Sequence, residues 1–230
     1  MKFERRIKYC ELDCKILYDI IRIFSETIYT KFRIDVIKYS TTSSLSFAIY
    51  RSNYLSKNEI PIINNNLYKA LRLSYTGGAV DVFKPTGKNI YYYDVNGLYA
   101  YIMKEMDMPA NIFRRRYFIF KENPDAYGFF EVKVQAPLDL DIPLLQKRIK
   151  TENGYRTVAP LGNWTGVYFS DKLKEAKKLG YKFEILRGYL FEKKNLFKEF
   201  IVDLNEQKEN SLRNSSDYLF ILIINEFFIW

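Results

Sequence analysis

The sequence predicts an α+β chain, with helices first and an antiparallel sheet flanked by helices after them. Three observations carry this expectation. Leu12, Ile16, Ile20, Ile23 and Phe24 recur at helical spacing between Met1 and Phe32. Tyr127 to Gln135 then alternates apolar and polar residues, the period of a half-buried strand. Ser170 to Lys178 and Leu196 to Glu209 return to the helical period, with a strand or hairpin over Tyr181 to Phe191 between them.

The remaining elements follow in order. Ser40 to Ser44 is a polar turn run before a short helix, Leu45 to Tyr54. Asn64-Asn65-Asn66 reads as a loop, and Gly77-Gly78 as a turn or a point of close backbone approach. Ile90 to Tyr93 reads as a short strand ending at Asp94, and Asn96-Gly97 turns the chain. Leu98, Tyr101, Ile102 and Met106 predict a helix, closed at Asp107-Met108-Pro109 because a residue before proline leaves the helical region. Arg114-Arg115-Arg116 opens a strand over Tyr117 to Phe120, either as a solvated basic edge or as a phosphate contact. Pro137 and Pro143 flank Asp139-Leu140-Asp141, which makes that acidic pair a structural loop. Thr157 to Pro160 and Thr165 to Phe169 are strands, Ser170 caps the following helix and Gly180 ends it.

Composition bounds the chemistry. The chain has 230 residues, 48% hydrophobic and 27% charged, enough for one or two domains with a real core. It contains no histidine, which removes Ser-His triads, Cys-His pairs and His-ligated metals. Any metal is therefore held by oxygen, which favours magnesium, manganese or calcium. The 36 basic and 27 acidic residues give a net charge of +9, which suits a polyanionic partner. Cys10 and Cys14 lie four apart on the first helix and make no zinc site; free thiols are the simple reading. No leader pattern is evident at the N-terminus. The longest apolar run, Tyr218 to Ile224, falls far short of the ~20 residues that span a bilayer, so no membrane partner is expected.

Three stretches carry candidate chemistry. In Tyr91 to Pro109, YYYDVNGLYAYIMKEMDMP, Asp94 stands at a turn, either facing a ligand or capping the helix. In Ser74 to Gly78, two glycines offer N–H groups to a phosphate, and Tyr75 can stack on a base; a plain glycine turn is the alternative. In Tyr9 to Asp13, a tyrosine and an aspartate four apart share one helix face and together can hold a metal-bound water; a buried tyrosine beside an exposed acid is the alternative.

DVNGLYAYIMKEMDMP resembles the first catalytic motif of family B DNA polymerases, Asp-x-x-Ser-Leu-Tyr-Pro, and most of all the protein-primed branch of phages and mitochondrial linear plasmids. Asp94, Val95, Asn96, Leu98, Tyr99 and Met103 fit; Gly97 stands where serine is usual and Ala100 where proline is usual. Tyr75-x-Gly77-Gly78 resembles the family's linker motif, and Tyr9-x-x-x-Asp13 its third exonuclease motif, both in the expected order. The resemblance implies Asp94 as a catalytic residue and metal ligand, joined by the Val95 carbonyl, with Mg2+ or Mn2+ as cofactor. It implies a nucleotide site at Asn96, Gly97, Leu98 and Tyr99, with Tyr99 also catalytic through its packing on the incoming sugar. Tyr75, Gly77 and Gly78 would contact DNA, and Tyr9 and Asp13 would be the exonuclease-like pair. The implied organisation is 1–70 as the end of an exonuclease domain, 71–89 as the linker, and 90–230 as the first part of a polymerase palm with an insertion. The implied partners are primer-template DNA, deoxynucleoside triphosphates and a terminal priming protein. An A+T-rich coding composition and the plasmid-like resemblance point to mitochondria.

Two departures qualify the expected activity. Around Asn225, where the second motif Lys-x-x-x-Asn-Ser-x-Tyr-Gly belongs, the lysine position holds Ile221, either in a decayed motif or in a chance apolar tail. The third motif, Tyr-x-Asp-Thr-Asp, is not present. The expectation is a polymerase fragment whose independent activity is open. The alternatives are a DNA- or priming-protein-binding module without chemistry, and a remnant without function.

Overall fold

The computed structural model describes residues 2–57, 59–78, 80, 82, 84–116, 126–152, 154–213 and 215–227. They form two compact units. The first draws on Met1–Lys57, Val95–Asp107 and Asn195–Trp230, the second on Asn58–Asp94 and Met108–Lys194. These units interleave along the chain.

The first unit is helical. α1 runs Lys2–Phe32, α2 Thr42–Asn53, α4 Leu98–Glu105, α6 Lys198–Asn210 and α7 Ser216–Phe227. α1 buries only its C-terminal end: Ile28 and Phe32 are core residues, whereas Leu12, Ile16, Ile20 and Ile23 are exposed. The predicted apolar face is therefore present but mostly solvent-facing, and Phe24 alone of the five packs against the core. Ile34, Leu45, Ile49, Tyr50, Phe200, Ile201, Leu204, Ile221 and Ile224 complete that core among the described residues. α2 starts earlier than expected. Thr41 is its N-cap and exchanges hydrogen bonds with Ser44 in a capping box, so Thr42 to Ser44 are helical rather than turn.

The apolar C-terminal stretch is α7, and Ile221 and Ile224 are fully buried. It is thus a core helix.

The second unit is a four-stranded antiparallel sheet in the order β1-β6-β2-β5. β1 is Met108–Arg116, β2 Gly128–Ala136, β5 Gly162–Phe169 and β6 Lys182–Lys194. Pro109 is tolerated because β1 is an edge strand. Arg114 to Arg116 lie within β1; the expected strand over 117–120 lies outside the described residues. The alternation read in Tyr127 to Gln135 is real: Phe130, Val132, Val134 and Ala136 are buried and pack with Leu145, Tyr168, Ala176 and Tyr181. Gly128 has φ +151, and a Cβ there would lie 2.0 Å from the Tyr189 carbonyl oxygen, so close strand approach requires glycine.

A separate hairpin pairs β3, Lys147–Thr151, with β4, Gly154–Val158. β4 ends at Val158 and covers only the first half of the strand expected at 157–160, whereas β3 had no clear alternation to announce it. The Asp139-Leu140-Asp141 segment is a loop, and both acids are exposed. α5 is Ser170–Lys178, and its N-cap is Phe169. Ser170 does not cap it: its buried hydroxyl accepts from the Gly128 N–H at 3.3 Å and ties the helix to the sheet. Gly180, φ +85, ends this segment as expected. α3, Asn65–Arg72, replaces the loop expected at Asn64 to Asn66, because the Asn64 side chain accepts from the Leu67 N–H and caps it.

Candidate nucleic-acid and metal sites

The Asp94 turn is built differently from the sequence reading. Tyr91 to Tyr93 form no strand and are more than three-quarters exposed. The rings of Tyr91 and Tyr93 stack on each other at 6.5 Å. Asp94 is exposed and is not a helix cap; Gly97 is the N-cap of α4, with φ +62 and no side-chain cap bond. That left-handed backbone explains glycine in place of serine, since a side chain there is strained. α4 presents Ala100 and Met103 to the helical core and leaves Leu98 and Tyr99 exposed. Ala100 is thus a packing residue.

Asp94 closes the segment belonging to the sheet unit, and Val95 to Tyr99 open the segment belonging to the helical unit. The Asp94 carboxylate and the Val95 carbonyl are hard oxygen donors, the type that suits Mg2+ or Mn2+. Among the described residues no group of three or more acidic, histidine or cysteine side chains converges. The donor type fits a divalent ion; the number does not complete a site. Mg2+ often takes only one or two carboxylates, with substrate phosphates and water supplying the rest.

Tyr75 lies in the sheet unit, 65% exposed, with the Arg72 guanidinium 4.3 Å from its ring centre. This is a cation–π pair that presents a charged, flat surface. Gly77 and Gly78 have no positive φ, and a Cβ at either would meet nothing within 4 Å. The fold itself therefore does not demand glycine at either position. Thr76 accepts a hydrogen bond from Lys172 Nζ at 3.3 Å. Lys172 is half-buried, and burial lowers its pKa from the ordinary lysine value. Arg72 and Lys172 were missed in the sequence. The signal for Lys172 was a lysine in the first turn of a helix, where the macrodipole disfavours it. A shallow groove beside this segment is lined by Asn66, Leu67, Lys69, Leu73, Arg187 and Tyr189.

Tyr9 and Asp13 share the exposed part of α1, so the reading of a buried tyrosine there does not hold. Cys10 and Cys14 are free and exposed on the same stretch.

The model of the family DNA polymerase type B, organellar and viral, matches residues 2–222. The chain belongs to this family. It is 45% identical over 205 residues to a probable DNA polymerase of Ascobolus immersus, covering 86% of this chain and 17% of that protein. It is 44% identical over 220 residues to one of Neurospora intermedia, covering 92% and 23%. The chain therefore spans about a fifth of the length of these relatives. Its α+β fold is similar to part of Phi29 DNA polymerase, with a TM-score of 0.64 at 18% identity, covering 88% of this chain and 37% of that one. The same polymerase complexed with primer-template DNA and incoming nucleotide gives 0.57, covering 83% and 36%. No described helix is long and apolar enough to cross a membrane.

Proposed function

We propose that this polypeptide is a part of a protein-primed DNA polymerase that carries out template-directed nucleotidyl transfer in DNA replication. The observation that carries the reading is the Asp94 turn. An exposed carboxylate stands four residues ahead of the first residue of a helix whose exposed face bears Leu98 and Tyr99, in a chain of this family. Asp94 is the catalytic carboxylate and, with the Val95 carbonyl, a ligand for Mg2+ or Mn2+. The ion would supply charge neutralisation at the transferring phosphoryl group. Asn96, Gly97, Leu98 and Tyr99 border the nucleotide, and the Tyr99 ring packs on its sugar. Tyr75, Gly77 and Gly78 hold the DNA strand.

In this reading 1–70 is the end of an exonuclease domain, 71–89 the linker and 90–230 the beginning of a palm. Tyr9 and Asp13 are an exonuclease-like pair; one carboxylate is too few for two-metal hydrolysis on its own. Primer-template DNA, deoxynucleoside triphosphates and a terminal priming protein are the partners, and the mitochondrion is the compartment.

Metal-dependent primer extension tests this. The expected result is incorporation by the chain that falls by at least ~100-fold in Asp94→Asn. No incorporation above background in the unaltered chain overturns independent catalysis. One observation favours a second reading, a DNA- or priming-protein-binding module without chemistry. Ile221 is fully buried at the position where the family's second motif has its lysine. Binding of primer-template that weakens steeply with salt, in a chain that extends nothing, selects that reading.

A further inference from the structure

We propose that Lys172 is a phosphate-binding residue for the nucleic-acid strand that lies along Tyr75 to Gly78. This rests on the reading of Tyr75, Gly77 and Gly78 as DNA contacts and adds a residue from a distant part of the sequence. Lys172 belongs to α5, yet its ammonium reaches Thr76 Oγ1 in the middle of the glycine segment. An ammonium has three protons to donate, and Thr76 takes one. Among the described residues no carboxylate pairs with it; the neighbouring Asp171 pairs with Lys174 instead, at 3.5 Å.

Three features are unfavourable or unexplained at this spot. A half-buried cation has lost part of its hydration without gaining a counterion. It stands in the first turn of α5, where the helix dipole repels positive charge. Beside it two glycines border open space, with a backbone any residue can adopt. A phosphodiester removes all three at once. It neutralises the ammonium, reverses the sign of the dipole interaction, and uses the room that the absent side chains leave for a backbone to approach. Tyr75 and Arg72, on the N-terminal side of the same segment, offer the stacking surface and a second cation for the adjoining nucleotide.

The experiment is a salt titration of a fluorescein-labelled primer-template with the unaltered chain, Lys172→Met, Lys172→Arg and Tyr75→Ala, alongside thermal unfolding of each. Lys172→Met is expected to bind about 5–10-fold more weakly and to lower the slope of log K against log salt by about one. Lys172→Arg keeps the slope. The melting temperature of Lys172→Met is expected to stay level or rise, because a desolvated cation has been removed. An unchanged salt slope in Lys172→Met, with binding still lost in Tyr75→Ala, overturns the assignment and leaves the DNA reading standing. A lowered melting temperature with an unchanged slope makes Lys172 a structural tether to Thr76 and also overturns it. If the unaltered chain binds no DNA at low salt, the DNA reading fails and the assignment falls with it.

Discussion

The helical unit and the sheet unit bury their cores in opposite ways. The sheet core rests half on alternation within one strand: Phe130, Val132, Val134 and Ala136, four of its eight buried residues, all lie on β2. The helical core is gathered from Ile28, Ile49, Phe200, Ile221 and Ile224, from segments far apart in the chain. A strand declares its buried face by period alone, whereas a helix declares only that it has one. α1 shows the difference: its stripe is regular, yet just the last part is covered.

The largest expected effect tests whether α7 belongs to the core. Ile221→Lys restores the residue type of the family's second motif, but places an unpaired ammonium at a fully buried position. It should destabilise the helical unit by about 3–5 kcal/mol in urea unfolding. Ile221→Met should cost less than about 1.5 kcal/mol. Equal midpoints for Ile221→Lys and the unaltered chain would detach α7 from the core and reopen the motif reading.

Gly128→Ala is the matching perturbation of the sheet. Its Cβ would collide with the Tyr189 carbonyl, and the φ of +151 is itself one that side chains avoid. A loss of about 1–3 kcal/mol is expected. Faster amide exchange should be confined to β2 and β6. Spread of that exchange into α6 and α7 would show that the two units unfold as one.

pH sharpens the contrast at its polar contacts. Burial, then the hydrogen bond and charge of Asp203, pushes the Tyr54 phenol well above its ordinary pKa of 10.0 in the helical unit. Burial also raises Tyr168 in the sheet unit; its bond from Trp164 Nε1, at 2.8 Å, opposes the shift, and Tyr181 adds to it. A raised phenol pKa means that folding favours the neutral form. The stability from both is full below pH about 10 and is lost as pH rises past it. Melting temperature should therefore fall above that pH. Tyr54→Phe should flatten the fall while lowering stability at neutral pH by about 1 kcal/mol, since among the described residues Asp203 then keeps Gln207 alone, at 3.0 Å. A fall of unchanged steepness would assign the effect elsewhere.

Most of the fold was legible because its signals are local. β2, α5 and α6 announced themselves through period, and Gly180 through its place after a helix. What failed were boundaries decided by side-chain hydrogen bonds. Asn64 looks like loop and is a cap; Ser170 looks like a cap and is a buried link to Gly128. The short strand at Ile90 to Tyr93 failed because β propensity needs a partner strand, and these tyrosines find none among the described residues. Of the candidate site, the residues proposed from the motifs were named from the sequence. Arg72 and Lys172 were not, since a cation–π pair and a contact between α5 and the glycine segment exist only in three dimensions.

The smallest expected effect concerns the boundary between scaffold and site. Gly97 differs from the family's usual serine, and by sequence alone that looks like erosion. The structure gives it a reason: φ +62 at the N-cap of α4, with open space around the missing Cβ. Gly97→Ser should therefore cost about 1 kcal/mol through backbone strain alone, with no steric penalty added. A serine hydroxyl is also a good cap, and capping offsets part of that cost only if the residue moves to an extended conformation. The two contributions separate in a pair of variants. Gly97→Ala should lose the full amount, and Gly97→Ser less if the turn rearranges. Equal losses fix the left-handed turn as a rigid feature. A stable Gly97→Ser means that the turn before α4 can adopt an extended N-cap, and that Asp94 can be re-aimed by a single neighbouring residue.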